Sequence, residues 1–160
     1  NNMQLYPTKY IPRSLSEKNK KKQKNMIEKS RKLYKTKKYF TREHITGYKS
    51  KKSKHITKAK KIYNINSIVP SQKLAQKTKC TLKGLTQIMK RGMGAYYSGS
   101  RPSQTPHSWG IARLASSLSG GKASVKDSDL LKKHCKQSSN ALKLMQPVYH
   151  GHRRSSKIKV

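Results

Sequence analysis

"TPHSWGIARLASSLSGG" (residues 105–121) decides the fold class. Thr105 offers an N-cap oxygen, and Pro106 is a first helical residue whose φ is already set. Trp109, Ile111, Ala112, Leu114, Ala115 and Leu118 then recur at helical spacing until Gly120-Gly121 ends the run. The stretch is predicted to be the central apolar helix of a small core, with Trp109 inside it. Upstream, "SQKLAQKTKCTLKGLTQIMKRG" (residues 71–92) predicts two helices. Ser71, behind Pro70, starts one that runs to about Lys77. Thr81 caps the other, which carries Leu82, Leu85, Ile88 and Met89 on one face and stops at Gly92. Downstream, a last helix starts near Asp127 or Ser128, carries Leu130, Leu131, Cys135, Ala141, Leu142 and Met145, and stops before Pro147. No strand is predicted. The expected fold is mainly α: a small helical cluster with long basic extended or partly helical arms.

The arms follow from charge. The chain has 160 residues, with 39 Lys and Arg against 5 Asp and Glu, a formal net charge of +34. Only 32% of residues are hydrophobic, too few to bury a core along the whole length. Residues 1–63 hold 21 of the cations and 3 of the acids, so they are expected to form a basic N-terminal arm. Residues 64–146 form the compact helical domain, and 147–160 a basic C-terminal tail. In the arm, Ser14 and Glu17 have capping-box spacing for a helix start. Tyr34, Tyr39, Tyr48 and Tyr63 are scattered among its lysines, where they can stack on bases or anchor in a neighbour's grooves. A charge of this sign and density calls for a polyanion or an acidic partner. Nucleic acid, an anionic membrane surface and an acidic protein face all qualify. No stretch is apolar for long enough to span a bilayer.

Residues 71–92 have the spacing of a helix-turn-helix, with Ala75, Cys80, Leu85 and Ile88 packing the two helices. The second helix would present Thr81, Lys83, Gly84, Gln87, Lys90 and Arg91 outward for phosphates and base edges. Lys79 stands where such a turn usually wants glycine. An ordinary packed helix pair explains the same spacing. "GAYYSGSRP" (residues 94–102) offers Gly94 and Gly99 for tight backbone, Tyr96 and Tyr97 for stacking, and Ser98, Ser100 and Arg101 for phosphate. Arg113 is a polar insertion in the apolar helix that follows. In the competing reading Arg101 and Arg113 hold loop carbonyls, and His107 partners the Thr105 cap. The binding candidates are therefore Lys83, Gln87, Lys90, Arg91, Tyr96, Tyr97, Arg101 and Arg113.

Catalysis is disfavoured by the acids. None lies between Glu43 and Asp127 or after Asp129, so Ser100, His107, Tyr96 and Arg101 have no orienting carboxylate nearby in sequence. Cys80, His134, Cys135, His150 and His152 lack the paired spacing of a structural zinc site. Cys80 and Cys135 could pair or stay free; they read as small buried groups, with a reduced intracellular setting as the default. No enzyme, cofactor, metal or small-molecule substrate is expected.

"GAYYSGSRPSQTPHSWGIARLASSLSGGKAS", the upstream "SKHITKAKKIYNI" and the lead-in "YIPRSLSEKNKKKQ" together resemble a lysine-rich protein family of large double-stranded DNA viruses of eukaryotes, the nucleocytoplasmic giant and algal viruses. The resemblance covers most of residues 10–145 and is most specific over Tyr96–Lys122. This chain has Ser98 alone before Gly99, where the family often has two serines. No activity comes with the resemblance. It implies a viral protein found in the virion, assembled in the cytoplasm or nucleus of a host cell. The expected function is a minor capsid or internal capsid-associated protein. Its basic arms would bridge other capsid proteins, or reach the membrane or genome beneath. The alternative is a viral DNA-binding or condensing protein that reads through the hairpin at 71–92.

Overall fold

The computed structural model describes residues 3–147 and 156–160. His150, His152 and most of the tail therefore lie outside the described residues. The chain is mainly helical. Helices follow one another as α1 (Glu17–Lys35), α2 (Lys54–Tyr63), α3 (Gln72–Thr78), α4 (Leu82–Ser98), α5 (Pro106–Leu118), α6 (Lys122–Lys126), α7 (Ser128–His134) and α8 (Asn140–Leu144). Two short strands, β1 (Leu5–Pro7) and β2 (Lys157–Lys159), pair antiparallel with Tyr6 opposite Ile158. This sheet is a correction to the strand-free expectation. Each strand has only three residues, too few for alternation to register in sequence.

Most helix starts sit where polar caps predict them. Ser71 accepts from the Leu74 N–H at 3.1 Å, and Thr81 accepts from the Gly84 N–H at 3.1 Å. Helix α1 is capped by Ser16, which accepts from Asn19 at 3.1 Å, rather than by Ser14. Three ends differ from expectation. Helix α4 runs through Gly92 and Gly94 to Ser98 instead of stopping at Gly92. The last predicted helix is two, α7 and α8, with Cys135 extended between them (φ −109°, ψ 141°). Helix α6 follows Gly121 with no side-chain cap, so it carried no start signal.

Packing divides the chain into two units. One comprises the described residues to Lys51, Gly94–Pro106 and the C-terminal strand. The other comprises Lys52–Met93 and the described residues from 107 to 147. The sequence reading cut the chain at 63/64 and 146/147; packing divides it after Lys51, after Met93 and after Pro106. Residues 3–63 are folded rather than drawn out as a long arm, since they hold β1, α1 and α2.

The first unit is centred on Tyr6, Ile11, Leu15, Met26, Ile27, Ile45 and Ile158. Its core is small, so polar side chains complete it. Gln23, buried in the inner stripe of α1, donates to the Tyr10 carbonyl at 3.1 Å, and Ser30 donates to the Tyr97 carbonyl at 3.1 Å. The second unit buries Leu74, Leu85, Ile88, Leu114, Leu118 and Leu131 with Ala59, Tyr63 and both cysteines. The apolar stripes of α4, α5 and α7 are thus where the spacing put them. Trp109 is an exception: it is half-buried and outside the core, because the first turn of α5 precedes the buried run Leu114–Leu118.

Helices α4 and α5 approach through glycine. A Cβ on Gly110 would lie 2.8 Å from Met93 Cγ and 2.9 Å from the Met89 carbonyl oxygen, a backbone atom that cannot turn away. A Cβ on Gly92 would lie 2.9 Å from the Gly110 Cα. Gly92 is therefore used for close helix packing, not for a helix stop. Gly110→Ala is expected to cost about 1–3 kcal/mol by overpacking, read as a lower denaturation midpoint at unchanged slope.

Candidate nucleic-acid interface

The hairpin of α3 and α4 forms as a packed pair. Lys79 occupies the left-handed turn position at φ 58°, the place that glycine fills most easily. The start of α4 is not free, however. The Thr81 N–H donates to the His134 carbonyl at 2.9 Å, and the Lys136 N–H donates to the Lys79 carbonyl at 2.9 Å. Thr81 Oγ1 and His134 Nδ1 are hydrogen-bonded at 2.9 Å, and a side chain at Gly84 would overlap His134. Cys80 and Cys135 lie opposite each other and form a disulfide with S–S 2.06 Å, the paired one of the two states that the sequence left open. Residues 134–136 thus lie against the start of α4, the end that a recognition helix presents to base edges. Thr81 and Gly84, predicted to face outward, face His134 instead. Lys83 and Lys90 are exposed and Gln87 is half-exposed, so the outer face of α4 keeps its polar and basic character.

Arg91 and Arg113 are both engaged by acids. Arg113 clasps Asp127 through Nε at 2.8 Å and Nη2 at 2.7 Å. Arg91 reaches Asp127 at 3.2 Å and forks onto Asp129 at 2.9 and 2.8 Å. The hydrogen bond with Asp129 comes first among the causes that raise the Arg91 pKa, and it holds Asp129 down at about 2. These two arginines, read in sequence as binding groups, brace α4 and α5 onto the start of α7. Their acids lie 14 to 38 positions away, beyond what local spacing reveals.

The loop after α4 is likewise turned inward. Tyr96 is fully buried, and its hydroxyl accepts from the Arg42 N–H at 2.8 Å. The Arg42 guanidinium lies 3.9 Å over the Tyr96 ring, donates to the Tyr96 carbonyl at 3.0 Å and reaches Ser100 Oγ at 2.5 Å. Burial lowers the pKa of Arg42; the Tyr96 ring, the Tyr96 carbonyl and the Ser100 hydroxyl are its partners. The Gly99 N–H is spent on the Tyr96 carbonyl at 3.0 Å, and the Ser98 carbonyl accepts from Arg31 at 2.6 Å. The loop is thus held by Arg31 and Arg42, two residues that the sequence did not single out. Arg101 and His107 are exposed. Tyr97 leaves its neighbour and stacks on Tyr34 at 5.2 Å.

Along the outer side of α1, Lys18, Lys21, Lys22 and Lys29 rim a groove of about 520 Å³ floored by Met26 and Phe40. Lys29 sits 4.4 Å over the Phe40 ring, and Lys22 pairs with Glu43 at 3.0 Å. No group of three or more His, Cys, Asp or Glu that could hold a metal ion occurs among the described residues. No helix among them is long and apolar enough to cross a membrane.

No curated protein matches the chain, and no solved structure matches it. A family model matches residues 7–135, nearly the whole folded length, so the chain belongs to that family, described as a family of unknown function (DUF5824).

Proposed function

We propose that the chain is a non-enzymatic structural protein that binds nucleic acid through its charge, as a component of the particle of a large DNA virus. One observation supports the binding half most. Each of the five acids is already engaged within the molecule: Glu17 with Lys20, Glu28 with the Tyr6 hydroxyl, Glu43 with Lys22, and Asp127 and Asp129 with Arg91 and Arg113. Four of them pair with cations and Glu28 accepts from a neutral hydroxyl, and five acids cannot offset 39 Lys and Arg. Phosphate supplies negative charge at a regular spacing that such a surface can meet without reading sequence. The viral half rests on the sequence resemblance over residues 10–145.

A second reading, in which the protein bridges other capsid proteins, is favoured by β1. Leu5 is 62% exposed and Met3, just before it, 57%, at the start of a two-stranded sheet whose outward carbonyls further along, Pro7 and Lys157, already accept from Tyr10 and Ile11 and from Arg13. Apolar side chains of a neighbouring protein could pack against these two. Cross-linking inside purified particles separates the two readings. The first expects lysine peptides of this chain joined to DNA. Cross-links confined to capsid proteins or lipid would replace it, and absence from the particle would overturn the viral assignment.

A further inference from the structure

One aromatic cluster serves neither core. Tyr34 ends α1, Tyr39 follows in the next segment, and Tyr97 lies in the last turn of α4. Tyr34 and Tyr97 stack at 5.2 Å and 19°. Tyr39 tilts against both, at 6.1 Å from Tyr34 and 5.2 Å from Tyr97. Tyr39 is 67% exposed and Tyr34 38%, so ring surface of both is open to water. The turn beside them is basic: Lys35, Lys37 and Lys38 are all exposed. Lys37 holds φ 58°, a backbone position where glycine would be unstrained. Among the described residues, the ion pairs use Lys20, Lys22, Arg91 and Arg113, and no cation of this turn.

Rings in water beside unneutralised lysines match one kind of ligand. An unpaired nucleotide carries a flat base and a phosphate on the same short unit, and any base offers a π-face. In a duplex both faces of each base are already stacked and cannot reach a ring. We propose that Tyr34, Tyr39 and Tyr97 form a stacking platform for unpaired bases of a single-stranded nucleic acid, with Lys35, Lys37 and Lys38 receiving its phosphates. This rests on the nucleic-acid reading above and adds a strand preference to it.

The test uses the full chain with a labelled oligothymidine and a duplex of equal length, followed by fluorescence anisotropy. Tyr39→Ala is expected to weaken single-strand binding about tenfold and to leave duplex binding unchanged. Tyr39→Trp is expected to restore it, since stacking needs a ring and not the hydroxyl. An equal loss on both polymers, or no loss on either, overturns the platform. If the unmodified protein bound neither polymer, the nucleic-acid reading itself would fall. If it bound both and Tyr39→Ala changed nothing, only the platform would.

Discussion

Asp127→Asn lowers the stability of the fold by about 3–5 kcal/mol, the cost of leaving a buried charge without its partner. The Asp127 side chain is fully shielded from solvent and accepts from Arg113 at 2.7 and 2.8 Å, from Ser117 at 2.6 Å and from Arg91 at 3.2 Å. An asparagine keeps the shape but loses the charge, and it must turn an N–H₂ toward a guanidinium that only donates. The pH dependence has a definite sign. Burial alone pushes the Asp127 pKa up. Hydrogen bonds from Arg113 and Ser117, the Arg113 charge and the Arg91 bond outweigh it, and the net shift is downward. A carboxyl lowered on folding stabilises the protein above its unfolded pKa, and that gain is lost as pH falls through the folded value. Asp129, held at about 2 by Arg91, acts in the same direction, weakly because it is exposed. Thermal melts should therefore drop steeply below the ordinary aspartate value of 3.8. In Asp127→Asn the curve should start lower and be flatter there. An unchanged acid limb would show that Asp127 is not the brace.

Reducing the Cys80–Cys135 disulfide, or replacing both cysteines by serine, is the second large effect. The bond closes a loop with a sequence separation of 55. In the chain-entropy view, opening a loop of that length costs about 4 kcal/mol. The Thr81 and Lys136 backbone bonds that flank it hold residues 134–136 against the start of α4, so the loss should be largest around the hairpin. Hydrogen exchange with and without reductant checks this. Faster exchange confined to the α3–α4 turn and residues 134–136, with a lower melting temperature, is expected. Equal melting temperatures would mean that packing alone carries the bridge.

Helix starts at Ser71, Thr81 and Thr105-Pro106 were legible because a cap and its helix are neighbours in sequence. So were the core positions Leu85, Leu114 and Leu131, which recur at one period. The first unit was not legible. Tyr6, Ile11, Ile27 and Ile158 come from both ends of the chain, and no window holds enough of them to show a period. Lysine density there read as an arm because the apolar stripe of α1 is narrow and shared with Gln23 and Ser30. Among the candidate site residues, side-chain type was informative but partnership was not. Arg91 and Arg113 have the chemistry to bind phosphate, yet Asp127 and Asp129 hold them. Tyr96 and Tyr97 read as a pair, yet one supports Arg42 in the interior and the other joins Tyr34. Lys83, Gln87, Lys90 and Arg101 keep the solvent access that the sequence reading gave them.

The proposed function rests on charge rather than on catalysis or base reading. Equilibrium binding to duplex DNA of unrelated sequences across a range of salt tests it most directly. Six or so phosphate contacts give a slope of log affinity against log salt of about −5, the same for every sequence. A slope near zero, or an affinity that depends strongly on the sequence offered, would contradict the account.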